Sequence, residues 1–173
     1  MFSAILSALK ERYGEDGGRE VFTRLFPVIL TDNGTEFSNP ARIEFDADGG
    51  RLTSVFYCNA YASYEKPHAG RNHGFIRLVL PKGTAYTEPA PFDGLTQRGV
   101  SLMMSHVNSY VRRGLGDKTP YDLFAREYGE DVAALFGISR IAANDVTLRP
   151  SLLGIEVKVK ESVSPAETAP AGK

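Results

Sequence analysis

The segment F-P-V-I-L-T-D-N-G at positions 26–34 decides how this chain is interpreted. Its apolar run at 28–30 favours a strand, and the Asn-Gly pair that closes the segment is typical of a turn. The Asp32 carboxylate is therefore expected at the carboxyl end of a buried strand, where α/β sheets usually present their ligands. A carboxylate in that position suits metal chemistry. The alternative is that Asp32 only opens a turn, with its side chain accepting backbone N–H bonds.

Further motifs follow this segment in a fixed order. A second strand is expected at 52–58, and the polar stretch S-Y-E-K-P-H-A-G-R-N-H-G-F-I-R at 63–77 runs into a helix. Four shorter motifs come next: P-K-G at 81–83, L-T-Q at 95–97, N-S-Y-V-R-R at 108–113 and K-T-P-Y-D-L-F at 118–124. Over residues 19–153 this order resembles the DDE transposases of bacterial insertion sequences, in the IS-thirty-like branch with a retroviral-integrase-type catalytic core.

The resemblance implies a fold and a chemistry. The fold class is α/β, a partial ribonuclease-H-like (integrase catalytic core) fold that lacks its first strands and is followed by carboxyl-terminal helices. The chemistry is DNA cleavage and strand transfer at a phosphodiester, with three carboxylates holding two Mg²⁺ or Mn²⁺ ions roughly 4 Å apart. Asp32 matches the second of these acids and is the predicted catalytic and metal-binding residue.

The other two acids of the family pattern are missing from the sequence. No strand-like segment with an acid precedes Asp32, and the position of the family's glutamate is occupied by Gly70. Gly74, where many relatives also carry an acid, leaves a second gap one helical turn later. Glu65 is the nearest carboxylate that could replace the glutamate. The sequence therefore predicts a degenerate catalytic core that is inactive alone.

A local run of basic residues predicts contact with DNA, although the net charge of the chain is only −1. No Asp or Glu lies between positions 66 and 82. By the resemblance, the nucleic-acid-binding residues of this run are Lys66, Arg71, Asn72, Arg77 and Lys82. Arg and Lys side chains there would pair with backbone phosphates. The alternative is a solvated helix face.

The chain divides into a core at 1–153 and a tail at 154–173, with disorder expected from about 162. Apolar residues at helical spacing predict a helix that ends near Gly14 and a second helix over 19–26. A third helix is expected over 95–111 with an interruption at Gly99, and Thr119 with Pro120 predicts the start of another.

With two or three candidate strands, the sheet is expected to keep an open edge that favours self-association. The whole is interpreted as a carboxyl-terminal transposase fragment.

Other site classes are disfavoured. The three histidines do not share a helical face, the single cysteine (Cys58) is expected to be a buried structural thiol, and Asp46 with Asp48 predicts a plain turn, not a calcium loop. No signal peptide or membrane span is predicted, so a cytoplasmic location is expected. Two functions remain: a non-cleaving transposase core remnant, or a non-enzymatic regulator of transposition that binds transposon-end DNA or a full-length transposase.

Overall fold

The computed structural model describes residues 2–59, 67–85 and 87–160, with the backbone alone at 36 and 67–69. Its helices are α1 (Phe2–Leu25), α2 (Ala41–Glu44), α3 (Pro67–Val79), α4 (Gln97–Ser109), α5 (Pro120–Tyr128) and α6 (Glu130–Leu135). Two strands, β1 (Val28–Thr31) and β2 (Ser54–Tyr57), form the sheet. Short 3₁₀ turns cover Thr35–Phe37, Arg113–Leu115 and Pro150–Leu153. The chain is thus α/β with little strand content. The tail predicted to be disordered from about 162 lies outside the described residues.

Helix α1 is bent back on itself at Gly14, whose backbone angles (φ 77°, ψ 172°) are not helical. A Cβ placed on Gly18 would lie 2.5 Å from the Cα of Lys10, so the two halves of the helix lie side by side. Leu9 from the first half and Phe22 from the second are both buried and form one core cluster with Leu52. The predicted helix break at Gly14 is confirmed.

The sheet consists of two parallel strands, with Val28 opposite Ser54 and Leu30 opposite Phe56. The prediction of a buried first strand is wrong: Val28 is 55% exposed and Leu30 is 45% exposed. Phe56, on the same face as Leu30, is 56% exposed. These exposures show that no described segment covers this face. The exposed face, defined by Val28, Leu30 and Phe56, is called the apolar sheet face below.

The turn before β2 is built on one buried carboxylate. Asp46 Oδ1 accepts the backbone N–H groups of Asp48, at 3.0 Å, and of Gly50, at 2.7 Å. Its side chain is only 2% exposed, and Oδ2 lies 2.7 Å from Arg19 Nη2 on α1. The predicted plain turn is confirmed, and Asp46 also anchors α1 to this turn.

The second core cluster joins α3 to α4 through Val79, Leu80, Met103 and Val107. Helix α4 starts at Gln97, and Thr96 caps it by accepting the Gly99 amide at 3.1 Å. Gly99 therefore lies in the first turn, and the predicted interruption of this helix is wrong. The predicted cap of α5 is confirmed, since the Thr119 hydroxyl accepts the Asp122 amide at 2.9 Å.

Three buried polar side chains of α4 hold the segment 139–147 against the helix. Ser105 accepts the Ser139 amide at 3.0 Å, Ser109 accepts the Ile141 amide at 2.9 Å, and His106 Nδ1 accepts the Thr147 amide at 3.1 Å. The segment has no regular hydrogen-bonded ladder of its own. The α4 side chains therefore supply hydrogen-bond acceptors for backbone N–H groups of the segment 139–147 that would otherwise lack them.

The same histidine makes stability depend on pH. Burial lowers the pKa of His106 below its usual value, although Asp145 acts in the opposite direction. The unfolded chain therefore takes up a proton at a higher pH than the folded chain, and stability is lost as pH falls from about 6.5. We expect His106→Asn, which keeps an acceptor for the Thr147 amide, to flatten this slope. Urea unfolding between about pH 8 and pH 5.5 measures it; equal slopes in both proteins would contradict the assignment.

Helix α1 is also fixed to the carboxyl-terminal helices. Tyr13 donates its hydroxyl to Asp131 of α6, and Arg24 at the end of α1 lies 3.4 Å from Glu127 of α5. The bent α1 thereby connects the sheet to α5 and α6. Among the described residues, no helix combines the length and apolar character that crossing a bilayer requires.

Candidate functional site

Asp32 follows β1 directly, as the sequence predicts, and its side chain is exposed. The chain around it is fixed to the end of β2, because Asn33 Nδ2 donates to the Cys58 carbonyl at 3.3 Å. Tyr57 donates its hydroxyl to the Phe37 carbonyl on the loop that follows Asp32. Cys58 is buried, as expected for a structural thiol. The carboxylate is therefore presented at the carboxyl edge of a parallel strand pair.

The described donors around Asp32 do not fit a two-metal centre. Across residues 2–59, 67–85 and 87–160, no three His, Cys, Asp or Glu side chains come together in a group able to hold a metal ion. Two hard dications need several anionic oxygen ligands, and one carboxylate is too few. Glu65, the predicted replacement, lies outside the described residues.

Gly70 and Gly74 both lie on the exposed side of α3. A Cβ added at either position would meet no atom of the described residues within 4 Å, apart from the adjacent backbone of the helix itself. Open space at Gly70 means that packing does not demand glycine there. The first side-chain atom of another residue would therefore meet no described neighbour at this position.

The predicted DNA-binding residues are distributed along and after α3. Arg71 is exposed on the helix, Lys82 is exposed three residues after its end, and Lys66 lies outside the described residues. Arg77 is half-buried, and its Nη1 donates to the Leu80 carbonyl at 3.4 Å. Arg71, Arg77 and Lys82 thus place three positive charges on one helix and the loop that follows it.

Asn72 has a structural contact that the sequence did not indicate. Its Oδ1 accepts a hydrogen bond from Arg112 Nη1 at 2.7 Å. The Arg112 guanidinium lies 4.4 Å from the Phe75 ring centroid, and Phe75 packs against Tyr110 with ring centroids 5.5 Å apart. Burial lowers the pKa of Arg112 from its ordinary value. This cation therefore joins α3 to the end of α4.

Phe92 is a second residue that sequence reasoning missed. Its ring is 53% exposed, and the Arg77 guanidinium lies 5.8 Å from the ring centroid. The only sequence signal was an aromatic residue at the end of a Pro-rich stretch near the basic run. Phe92 lies near α3 because the loop after α3 folds back onto the helix.

Comparison with known proteins identifies two similar chains. The "Transposase for insertion sequence element IS4351" of Bacteroides fragilis is 28% identical over 111 residues, which cover 64% of this chain and 31% of that protein. The "Probable transposase for insertion-like sequence element IS1161" of Streptococcus salivarius is 29% identical over 125 residues, which cover 70% of this chain and 33% of that protein.

The chain is therefore similar to insertion-sequence transposases, and its matched segment spans about a third of their length. No protein-family model matches it. No solved structure matches it either.

Proposed function

We propose that this chain is part of a degenerate transposase catalytic core that binds transposon-end DNA and does not cleave it alone. Its fold would be a partial ribonuclease-H-like core of the IS-thirty-like branch, in which the parallel strands β1 and β2 are adjacent and Asp32 stands at the end of β1. Similarity to two insertion-sequence transposases supports a role in transposition.

The proposal that this chain does not cleave DNA rests on Gly70. The residue at the glutamate position has no side chain, and no metal-binding group assembles among the described residues. Asp32 alone cannot hold the two Mg²⁺ or Mn²⁺ ions that the family chemistry requires. The chain would thus lack the metal ligands that cleavage needs but keep the basic helix α3. It would therefore bind DNA without cutting it.

DNA binding rests on the charges of α3 and the loop after it. Arg71, Arg77 and Lys82 have no Asp or Glu between positions 66 and 82 to offset them. Contacts to phosphates are independent of sequence and release counterions, so the binding is expected to weaken steeply with salt. Asn72 would contribute less than the cations because it is neutral and its contact releases no counterion. Its Oδ1 accepts from Arg112, so its Nδ2 is the group that would donate to a phosphate.

We expect Arg71→Ala and Lys82→Ala each to weaken duplex binding and to lower the slope of log K against log salt by about one unit. Fluorescence anisotropy with a labelled duplex over a salt series measures both quantities. Arg126→Ala, which removes an exposed cation from α5, is the matched control and should leave the slope unchanged. Equal effects of all three substitutions would show that α3 is not the DNA-binding surface.

Cleavage is tested on labelled transposon-end DNA with Mg²⁺ or Mn²⁺. The arms are the parent chain, Asp32→Ala and Gly70→Glu; a Cβ at position 70 meets no described atom of its surroundings within 4 Å. The parent is expected to bind without cutting. Cutting by the parent that disappears in Asp32→Ala would overturn the proposal and show that a reduced set of carboxylates suffices.

The second candidate is a regulator of transposition that acts by binding a full-length transposase or another copy of itself. The apolar sheet face is the observation that favours it, since Val28, Leu30 and Phe56 are each between 45% and 56% exposed. Exposed strand edges with apolar side chains favour pairing with another chain. Co-purification with a full-length transposase that is lost in Leu30→Lys would support this alternative.

A further inference from the structure

A cleft of about 370 Å³ lies between the exposed side of α3 and the loop that follows it. This size falls within the range of small-ligand sites, about 300–1,000 Å³. Its lining includes Gly70, His73, Gly74, Arg77, Lys82 and Phe92. Two of these lining residues, Gly70 and Gly74, stand where the resemblance to the family implies acids.

The polar groups of this cleft select for an anion. Arg77 and Lys82 carry positive charge, and His73 adds a ring nitrogen. No carboxylate is among the described residues that line it. A phosphate is the anion that such a pair of cations binds well, since both side chains donate to its oxygens.

The exposed ring of Phe92 favours a ligand that contains a flat ring, such as a nucleic-acid base that is not base-paired. Phe92 is 53% exposed, and the Arg77 guanidinium lies over one face of its ring, 5.8 Å from the centroid, which leaves the other face for a ligand. Nucleic-acid bases stack on such exposed aromatic side chains when they are single-stranded. Paired bases inside a duplex do not offer their faces, so the ring favours an unpaired nucleotide.

The loop that carries Lys82 and Phe92 is fixed against the end of α3. The loop folds back onto the end of α3 because the Ala90 amide donates to the Pro81 carbonyl at 2.9 Å. Leu80 and Ala90 are both buried at this point. Gly83 takes a positive φ of 82°, with Pro89 N only 2.6 Å from where its Cβ would lie, so the turn requires glycine. This pairing holds Lys82, which follows Pro81, and Phe92, two residues after Ala90, at the same cleft beside the end of α3.

The glycines provide the remaining space. A Cβ at Gly70 or Gly74 would meet no described atom of the surroundings within 4 Å, so α3 presents bare backbone at these two positions, beside the side chains of His73 and Arg77. A sugar-phosphate chain can therefore approach α3 closely.

We propose that this cleft binds one unpaired nucleotide of a DNA strand, with its phosphate on Arg77 and Lys82 and its base stacked on Phe92. The inference rests on the proposed DNA binding by α3 and adds to it a preference for unpaired bases. A transposon end that frays or is opened would offer such a nucleotide.

The test compares two single strands that differ only in their bases. Labelled oligothymidine of about ten nucleotides and an abasic strand of equal length carry the same phosphates, and a duplex serves as the third probe. We expect the parent to bind oligothymidine about fivefold or more tightly than the abasic strand, because stacking on an aromatic side chain contributes that much per base. Phe92→Leu should bind the two strands equally, and Phe92→Tyr should keep the preference.

Phe45→Leu is the matched control. Phe45 is 40% exposed with the Arg51 guanidinium 5.7 Å from its ring centroid, and it does not line this cleft. The control should keep the parent's preference. A parent without a preference, or a Phe92→Leu variant that retains it, would overturn the nucleotide site. If duplex and abasic strand still bind in a salt-dependent way, the proposed DNA binding survives. Absence of all binding would overturn both.

Discussion

Gly18→Ala should destabilise the protein by about 2–3 kcal/mol, although the same substitution in a straight helix stabilises by about 1 kcal/mol. The reason is the close approach of the two halves of α1. The new methyl group would lie 2.5 Å from the Cα and N of Lys10, which are backbone atoms and cannot rotate away. The halves must separate, and this would loosen the packing of Leu9 against Phe22. Urea unfolding at neutral pH measures the change.

Gly74→Ala is the control for this prediction. It makes the same chemical change inside α3, where the added methyl group meets no atom within 4 Å. We expect a gain of about 1 kcal/mol from helix propensity alone. The opposite signs of the two variants are the diagnostic result. A Gly18→Ala protein as stable as Gly74→Ala would show that the halves of α1 do not lie in contact.

Asp46→Ala is expected to cost about 3 kcal/mol. The substitution leaves Arg19 without its buried partner and removes the acceptor of the Asp48 and Gly50 amides. Arg19 is 31% exposed and can still reach water, which keeps the loss at the lower end of the range for buried pairs. Thermal and urea unfolding should both show the change.

Two further variants separate the causes. Asp48→Ala removes a carboxylate that also lies 3.3 Å from Arg19, but this group is 78% exposed, so we expect a change within about 0.5 kcal/mol. Asp46→Asn keeps an acceptor for the turn amides and removes only the charge, and an intermediate loss is expected. A loss in Asp48→Ala equal to that in Asp46→Ala would contradict the role given to burial.

The candidate site was only partly predictable. Asp32, at the end of β1, was identified from a strand signal followed by Asn-Gly, which is a local pattern. Arg112 and Phe92 were not identified, because their partners on α3 are forty and fifteen residues away in the sequence. Nothing in a one-dimensional pattern specifies which cation will meet which ring. The match of Gly70 to the glutamate position rests on resemblance to the family alone, and the structure shows only that Gly70 is exposed on α3.

Features that depend on neighbours in the chain were determined by the sequence. The break at Gly14, the Asp46 turn and the Thr119 cap each involve groups within a few residues, so local conformational preference suffices. The tertiary structure alone decided burial and long-range pairing. His106 is buried and accepts an amide forty-one residues away, while the apolar side chain of Leu30 stays 45% exposed. The physical reason is that burial depends on which distant segment covers a residue. The polar α4 face is covered by 139–147, whereas no described segment covers the apolar sheet face.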